Sequence, residues 1–298
     1  MQDELSAILA SDLPDQDNEQ KLATLLYNRC YTVSIFDPPN ARADTQDLTP
    51  SLAAANQSRA AWDAGWKIDQ VLDAGQILAR KGGAARSFLP GEFITQRGLG
   101  TGPAADAKVT VFLAPGSADL QPAYYYAFSE TAGESGESEQ IVRFFWNISP
   151  AGAAPLMETI TRKLNRFQVP FRFKCACRTS DFPRRDAAVL YLHARYYPVT
   201  AMIVQSVHSE LRPWLGSGTP LFSKHLADGL GFAEDPGESF GDNRTRILAA
   251  AMIRTRGRPV GERLAELHRQ FQQRHLSLEQ PWLNAGSVDR YDFPFPVT

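Results

Sequence analysis

Two neighbouring runs, FRFKCACR at 171–178 and AAVLYLHARYY at 187–197, decide how this 298-residue chain is read. In the first, Phe171, Phe173, Cys175 and Cys177 alternate with Arg172, Lys174, Ala176 and Arg178. Successive side chains of an extended strand point to opposite sides, so the apolar residues take one face and the bases Arg172, Lys174 and Arg178 share the other. The second run, aliphatic and aromatic, reads as a further strand.

Upstream, RSFLPGEFIT (86–95), KVTVFLAP (108–115), PAYYYAFSE (122–130) and QIVRFFWNI (140–148) are short β-rich runs separated by turn residues, which predicts an antiparallel sheet. TAGESGESE (131–139) is expected as an exposed hairpin loop. Helical spacing occurs at Leu5, Ile8 and Leu9, at Leu22, Leu25, Leu26 and Tyr27, and at Leu156, Ile160, Leu164 and Phe167. It resumes over 198–215, 244–252 and 261–275. The proline-containing stretch 37–57 and the glycine-rich stretch 229–241 are expected as loops, and Trp62 and Trp66 as core anchors. Helix, then sheet, then helix, without βαβ alternation, is an α+β class: a largely antiparallel sheet packed by helices, with an N-terminal helical segment. The expected division is a helical region over 1–84, packed on a core formed by 85–298.

Composition narrows the partners. Hydrophobic residues are 43% of the chain, enough for a substantial core, and the formal charge of −2 argues against a polyanion coat or nucleic-acid partner. The distribution is uneven: residues 1–60 carry nine acids and four bases, whereas 143–185 carry nine bases and two acids. Three cysteines (Cys30, Cys175, Cys177) are too few for a disulfide scaffold, the start MQDELSAILASDLPDQD lacks a basic region followed by an apolar run, and no apolar run reaches membrane-spanning length. A cytoplasmic protein with no membrane partner is the expectation.

The obvious motifs carry little. GLGTG at 98–102 lacks the spacing of a nucleotide loop, and Cys175-x-Cys177 lacks metal-knuckle spacing, so no metal and no cofactor is expected. GESFG at 237–241 fits G-x-S-x-G, yet LGFAEDP before it is a poor strand, and Ser239 reads as a helix N-cap. Arg162, Lys163 and Arg166 read as a solvated helix face. Arg143 among the aromatics of QIVRFFW, Lys174, and the pair Arg184 and Arg185 are harder to place on a surface. Guanidinium groups around a lysine suit a phosphate monoester, since Arg binds phosphate bidentately and neighbouring cations lower a lysine pKa.

The order PFRFK (170–174), RRDAAVLY (184–191), FSK (222–224), LGFAEDP (230–236), SFG (239–241) followed by Arg244, and PWLNAGSVDRYDF (281–293) resembles the HopA-type effector family. The resemblance covers roughly 85–292, with weaker similarity in LLYNRCYT (25–32) and WDAGWKI (62–68). Members also occur in class V lanthipeptide and thioamitide clusters, beside an aminoglycoside-phosphotransferase-like kinase. For those, the resemblance implies a phosphoserine/phosphothreonine lyase: the kinase phosphorylates a precursor peptide, and the lyase eliminates phosphate to leave dehydroalanine or dehydrobutyrine. It implies Lys174 as base, with Arg143, Arg172, Arg184, Arg185 and Arg244 as phosphate ligands. Lys224 is implied as a second cation or acid, Asp186 as a residue orienting an arginine, and Tyr125 and Tyr191 as hydrogen-bonding groups. The family often has a histidine before the arginine that follows SFG, whereas this chain has Asn243, so the acid falls to His225 or Lys224. The alternatives are a non-catalytic peptide- or protein-binding effector and, third, a serine hydrolase through Ser239.

Overall fold

In a computed structural model, which describes residues 2–11, 18–37, 45–82, 84–95, 102–131 and 140–294, the chain begins with helices α1 (Gln2–Ala10) and α2 (Glu19–Leu26). Their one-face spacing buries Leu5, Ile8 and Leu9 of α1 and Leu22, Ala23 and Leu26 of α2. Asn18 caps α2 by accepting from the Lys21 amide at 3.1 Å. The helix then widens into one π-type turn, Tyr27–Tyr31, closed by Thr32 N donating to Tyr27 O five residues back. That turn stacks the Tyr27 and Tyr31 rings 5.2 Å apart.

Two expectations for the first 84 residues change. The stretch expected as loop over 37–57 contains helix α3 (Thr49–Ala55), with Pro50 in its first turn, where a missing N–H costs nothing. From Ala61 the chain is strand, not helix. Strands β1 (Ala61–Val71), β2 (Ile77–Lys81), β3 (Ala84–Phe88), β4 (Phe93–Thr95) and β5 (Lys108–Leu113) form an antiparallel sheet in the order β3-β2-β1-β5-β4. Its period is two: Trp66, Ile68, Ile77, Ala79, Val109, Val111 and Leu113 are buried with Phe88 in a core of their own. Trp66 is an anchor as expected, whereas Trp62 is half exposed against Phe112.

The second sheet carries the rest of the fold. Its strands are β6 (Gly116–Ser117), β7 (Tyr124–Phe128), β8 (Ile141–Trp146), β9 (Arg172–Ala176), β10 (Ala188–His193), β11 (Lys224–Ala227) and β12 (Leu230–Glu234), all antiparallel, in the order β11-β12-β8-β10-β9-β7-β6. Helix α4 (Pro150–Arg166) joins β8 to β9, α5 (Tyr197–Leu211) follows β10, and α6 (Phe240–Arg254) and α7 (Val260–Gln272) follow β12. β12 overturns the loop expected over 229–241. Its five residues are all buried, so no alternation marks it, and at Gly231 any Cβ would meet Ser223 Oγ at 2.8 Å. Of the GLGTG run at 98–102 and the loop expected at 131–139, all but Gly102 and Thr131 lie outside the described residues.

The sheet has two unlike faces. Phe144, Trp146, Phe173, Cys175, Leu190, Leu192 and Phe232 pack under Leu156, Met157, Ile160 and Leu164 of α4 and Ala201, Val204, Val207 and Leu211 of α5. On the other side Phe145, Val189 and Ala233 pack against α1, α2, α6 and α7. The cysteines are free and buried, as expected for apolar-face residues, and burial pushes the Cys175 thiol upward. No His/Cys/Asp/Glu cluster among the described residues is arranged to hold a metal, and no described helix is long and apolar enough to cross a membrane.

Candidate active site

The face turned toward α1, α2, α6 and α7 is apolar only in part. Cross-strand register makes two rungs across five strands, Ala233–Arg143–Tyr191–Arg172–Phe128 and Gly231–Phe145–Val189–Lys174–Tyr126. The basic face read from FRFKCACR therefore meets Arg143 and Tyr191 on the same side of the sheet. Arg143, Phe145, Arg172, Lys174, Val189 and Tyr191 line a cavity of about 610 Å³, walled further by Tyr27, Tyr31, Gln121, Tyr124, Arg184, Asp186 and the Gly237–Asp242 segment that starts α6. This volume falls within the range of small-ligand sites.

Charge inside the cavity balances on paper, with four cations and four carboxylates (Asp186, Asp235, Glu238, Asp242), so what matters is which cations are already committed. Arg143 reaches Asp235, with Nε 3.1 Å from Oδ2 and Nη2 2.8 Å from Oδ1, and Nη2 also donates to the Glu238 carbonyl at 2.6 Å. Arg184 is gripped by Asp186, with Nε to Oδ1 at 2.6 Å and Nη2 to Oδ2 at 3.0 Å. Each fork leaves Nη1 without a protein acceptor among the described residues. Arg172 and Lys174 pair with no described carboxylate. Arg172 lies over the Tyr191 ring at 4.8 Å, and Lys174 Nζ lies 4.3 Å from the centre of the Tyr124 ring while donating to Gln121 Oε1 at 3.2 Å.

Burial lowers the Lys174 ammonium from its ordinary 10.5 to about 8; Asp186 opposes the shift, and Arg184, Arg143 and Arg172 add to it. The tyrosines move the other way. Burial raises Tyr27 to about 12, and raises Tyr124 and Tyr191 as well. For Arg184, burial pulls downward and Asp186 more than offsets it, so this guanidinium stays charged.

Of the residues expected at the site, Lys174, Tyr191, Arg143, Arg172, Arg184 and Asp186 come together, and Asp186 orients Arg184 as anticipated. Five do not line the cavity. Tyr125 sits opposite Cys175 on the other face, where its hydroxyl accepts from Asn56 Nδ2 at 3.2 Å. Lys224 binds both Asp289 oxygens at 2.7–2.8 Å and the Tyr291 carbonyl at 2.8 Å. His225 beside it is exposed on the edge strand β11. Arg185 joins Glu4, Asp37 and the Thr219 carbonyl, tying the N-terminal segment to the core. Arg244 is buried, donates to the carbonyls of Pro281 (2.7 Å) and Leu283 (2.9 Å), and is pulled down to about 10 by burial. Lys224 and Arg244 thus hold the C-terminal stretch 281–291 against the sheet.

Ser239 lines the cavity at a strand–turn–helix junction, since β12 does precede it. Its hydroxyl caps α6 by accepting from Asp242 N at 3.3 Å, and no histidine lines the cavity to activate it. Beyond the expected set, the cavity uses Tyr27, Tyr31, Gln121, Tyr124, Tyr126 and Asp235. The glycine of SFG has a packing reason: a Cβ at Gly241 would fall 2.5 Å from Tyr31 Cε1 and 2.6 Å from Tyr27 Cε2, so its absence lets α6 approach the stacked pair.

The fold is shared with the effector protein of Pseudomonas syringae pv. tomato strain DC3000 at TM-score 0.53 and 14% identity, covering 95% of each chain. The effector of P. syringae pv. syringae strain 61 is also similar, at TM-score 0.42 and 19% identity over 56% of this chain and 66% of that one. No curated protein matches. The model of the HopA1 effector protein family matches residues 116–283, which include β8, β9, β10, β12 and the start of α6, and the chain belongs to that family.

Proposed function

We propose that the chain is a phosphoserine/phosphothreonine lyase, acting on a ribosomally made precursor peptide that a separate kinase has phosphorylated. The observation that carries this reading is the placement of Lys174: a half-buried amine, free of any described carboxylate, in a cavity with three guanidinium groups, where desolvation draws its pKa down to about 8. A general base works best with a pKa near the operating pH, and a phosphate needs donors in fixed directions. Neutral Lys174 takes the Cα proton, and the electron pair forms the Cα–Cβ double bond as the Cβ–O bond breaks. Arg172 and the open Nη1 groups of Arg143 and Arg184 receive the phosphate, with the two forks fixed by Asp235 and Asp186. The first amides of α6 add a favourable dipole at the same wall.

Incubating the full chain with a synthetic phosphothreonine peptide tests it. The expected product has lost the elements of phosphoric acid, and Lys174→Ala lowers the rate by roughly 10²–10⁴-fold. A peptide that keeps its phosphate, also with the partner kinase present, sinks the proposal. A second reading, a non-catalytic peptide- or protein-binding effector, is favoured by the family itself. Under it, Lys174→Ala leaves biological activity intact.

A further inference from the structure

β-Elimination of a phosphate dianion leaves a strongly basic phosphate trianion unless a proton arrives as the Cβ–O bond breaks. The two groups considered for that acid, Lys224 and His225, lie outside the cavity. Within it, five tyrosines line the wall, and their surroundings separate them: Tyr31, fully buried, serves as the ring on which Tyr27 stacks and against which α6 packs. Tyr126 donates its proton to Gln121 Oε1 at 2.7 Å. Tyr124 offers its ring to Lys174, and Tyr191 offers its ring to Arg143 and Arg172, so both act as platforms for cations. Tyr27 differs, because its oxygen accepts from Arg184 Nη2 at 3.1 Å. Its own proton is left without an acceptor among the described residues, beside a guanidinium whose Nη1 is open for phosphate.

We propose that Tyr27 is the catalytic acid of this cavity, giving its phenolic proton to the departing phosphate; the inference rests on the lyase reading. As the Cα proton passes to Lys174, the Cβ–O electron pair goes to the leaving oxygen, which takes the Tyr27 proton and departs as hydrogen phosphate. The phenolate that remains is stabilised by Arg184 and recovers its proton from the Lys174 ammonium through water, so both groups return to their starting state. Burial, which raises Tyr27 to about 12, keeps it protonated at neutral pH. Its position is fixed on three sides: the π-type turn sets the backbone, Tyr31 stacks on one ring face, and Gly241 lets α6 close on the ring edge. Tyr27 lies outside the family-matched residues 116–283, which makes the N-terminal segment part of the chemistry and not only a support.

The test uses the full chain and a phosphothreonine peptide. Tyr27→Phe keeps the stacked ring, and kcat is expected to fall roughly 10²–10⁴-fold. Peptide affinity, measured in a Lys174→Ala background to prevent turnover, should be unchanged. Replacing Tyr27 by a fluorinated tyrosine, a more acidic phenol of nearly the same shape, should move the alkaline limb of the kcat–pH profile to lower pH. Wild-type turnover with an unaffected Tyr27→Phe, or an alkaline limb that stays in place in the fluorinated protein, overturns the inference while leaving the lyase reading standing. A wild-type protein that releases no phosphate overturns the lyase reading first.

Discussion

Lys174 and Lys224 belong to the same sheet and to motifs of one family, yet they have opposite fates. Lys174 points into the cavity with a glutamine oxygen and aromatic faces for company, and burial depresses its pKa. Lys224 is held by both oxygens of Asp289 and a carbonyl. The same division separates Arg172 from Arg244: one is unpaired at the cavity, the other is buried against the carbonyls of the C-terminal stretch. A cation in a recognisable motif is thus available for chemistry only if the fold has not already supplied its acceptors. Lys174→Ala, with its loss of several powers of ten in rate, and Lys224→Ala, whose harm should be to stability, are the widest separation this contrast predicts.

Arg244→Met sharpens it on the structural side. Two buried carbonyl oxygens lose their donors, each worth about 1–3 kcal/mol, and chemical denaturation should show a loss of roughly 2–6 kcal/mol. Per folded molecule, elimination should stay close to wild type; a variant that folds normally but loses turnover would return Arg244 to the cavity's machinery.

Lys174→Met should do the reverse, abolishing elimination while stabilising the fold at neutral pH. The folded-state pKa of Lys174, about 8, lies below its ordinary 10.5, so between these values the unfolded chain binds more protons. Wild-type stability therefore rises with pH through that window. The penalty is fully present below about pH 8 and gone above the unfolded value. Its size is at most about 3 kcal/mol at 1.36 kcal/mol per unit. Urea titrations at pH 7 and pH 10 should show a gap between Met variant and wild type that narrows with pH. A constant gap would mean that burial of the amine is not what costs stability.

How far the sequence revealed this contrast depends on how local the deciding interaction is. The two-faced strand at 171–178 was legible because alternation is a property of neighbours, and the pairing of Arg184 with Asp186 spans two residues. Lys224 and Arg244 were misplaced because their acceptors lie 65 and 37 residues downstream, at Asp289 and Pro281. Tyr27 was missed because the Arg184 it meets is 157 residues away. β12 was hidden by its own packing, since a strand buried on both faces and holding Gly231 and Ala233 shows neither alternation nor bulk. In YYYAF both faces carry tyrosine, so nothing within the strand says which one looks at Lys174. The register with β9 settles it, placing Tyr126 opposite Lys174 and Tyr125 opposite Cys175.

That last pair gives the finest division, since one hydroxyl deletion can be made on either face of a single strand. Tyr125→Phe removes an acceptor from Asn56 and should cost about 0.5–1.5 kcal/mol of stability with no change in turnover. Tyr126→Phe has a different reach, because its hydroxyl and Lys174 Nζ both donate to Gln121 Oε1. With Tyr126 silent, that oxygen is left to Lys174 alone and favours the ammonium, so the Lys174 pKa should rise. The low-pH limb of the elimination profile, along which Lys174 loses its proton, should then move to higher pH in Tyr126→Phe and stay in place in Tyr125→Phe. Equal profiles for the two would mean that Gln121 does not set the base, and that the aromatic platform of Tyr124 and the surrounding guanidinium groups govern it unaided.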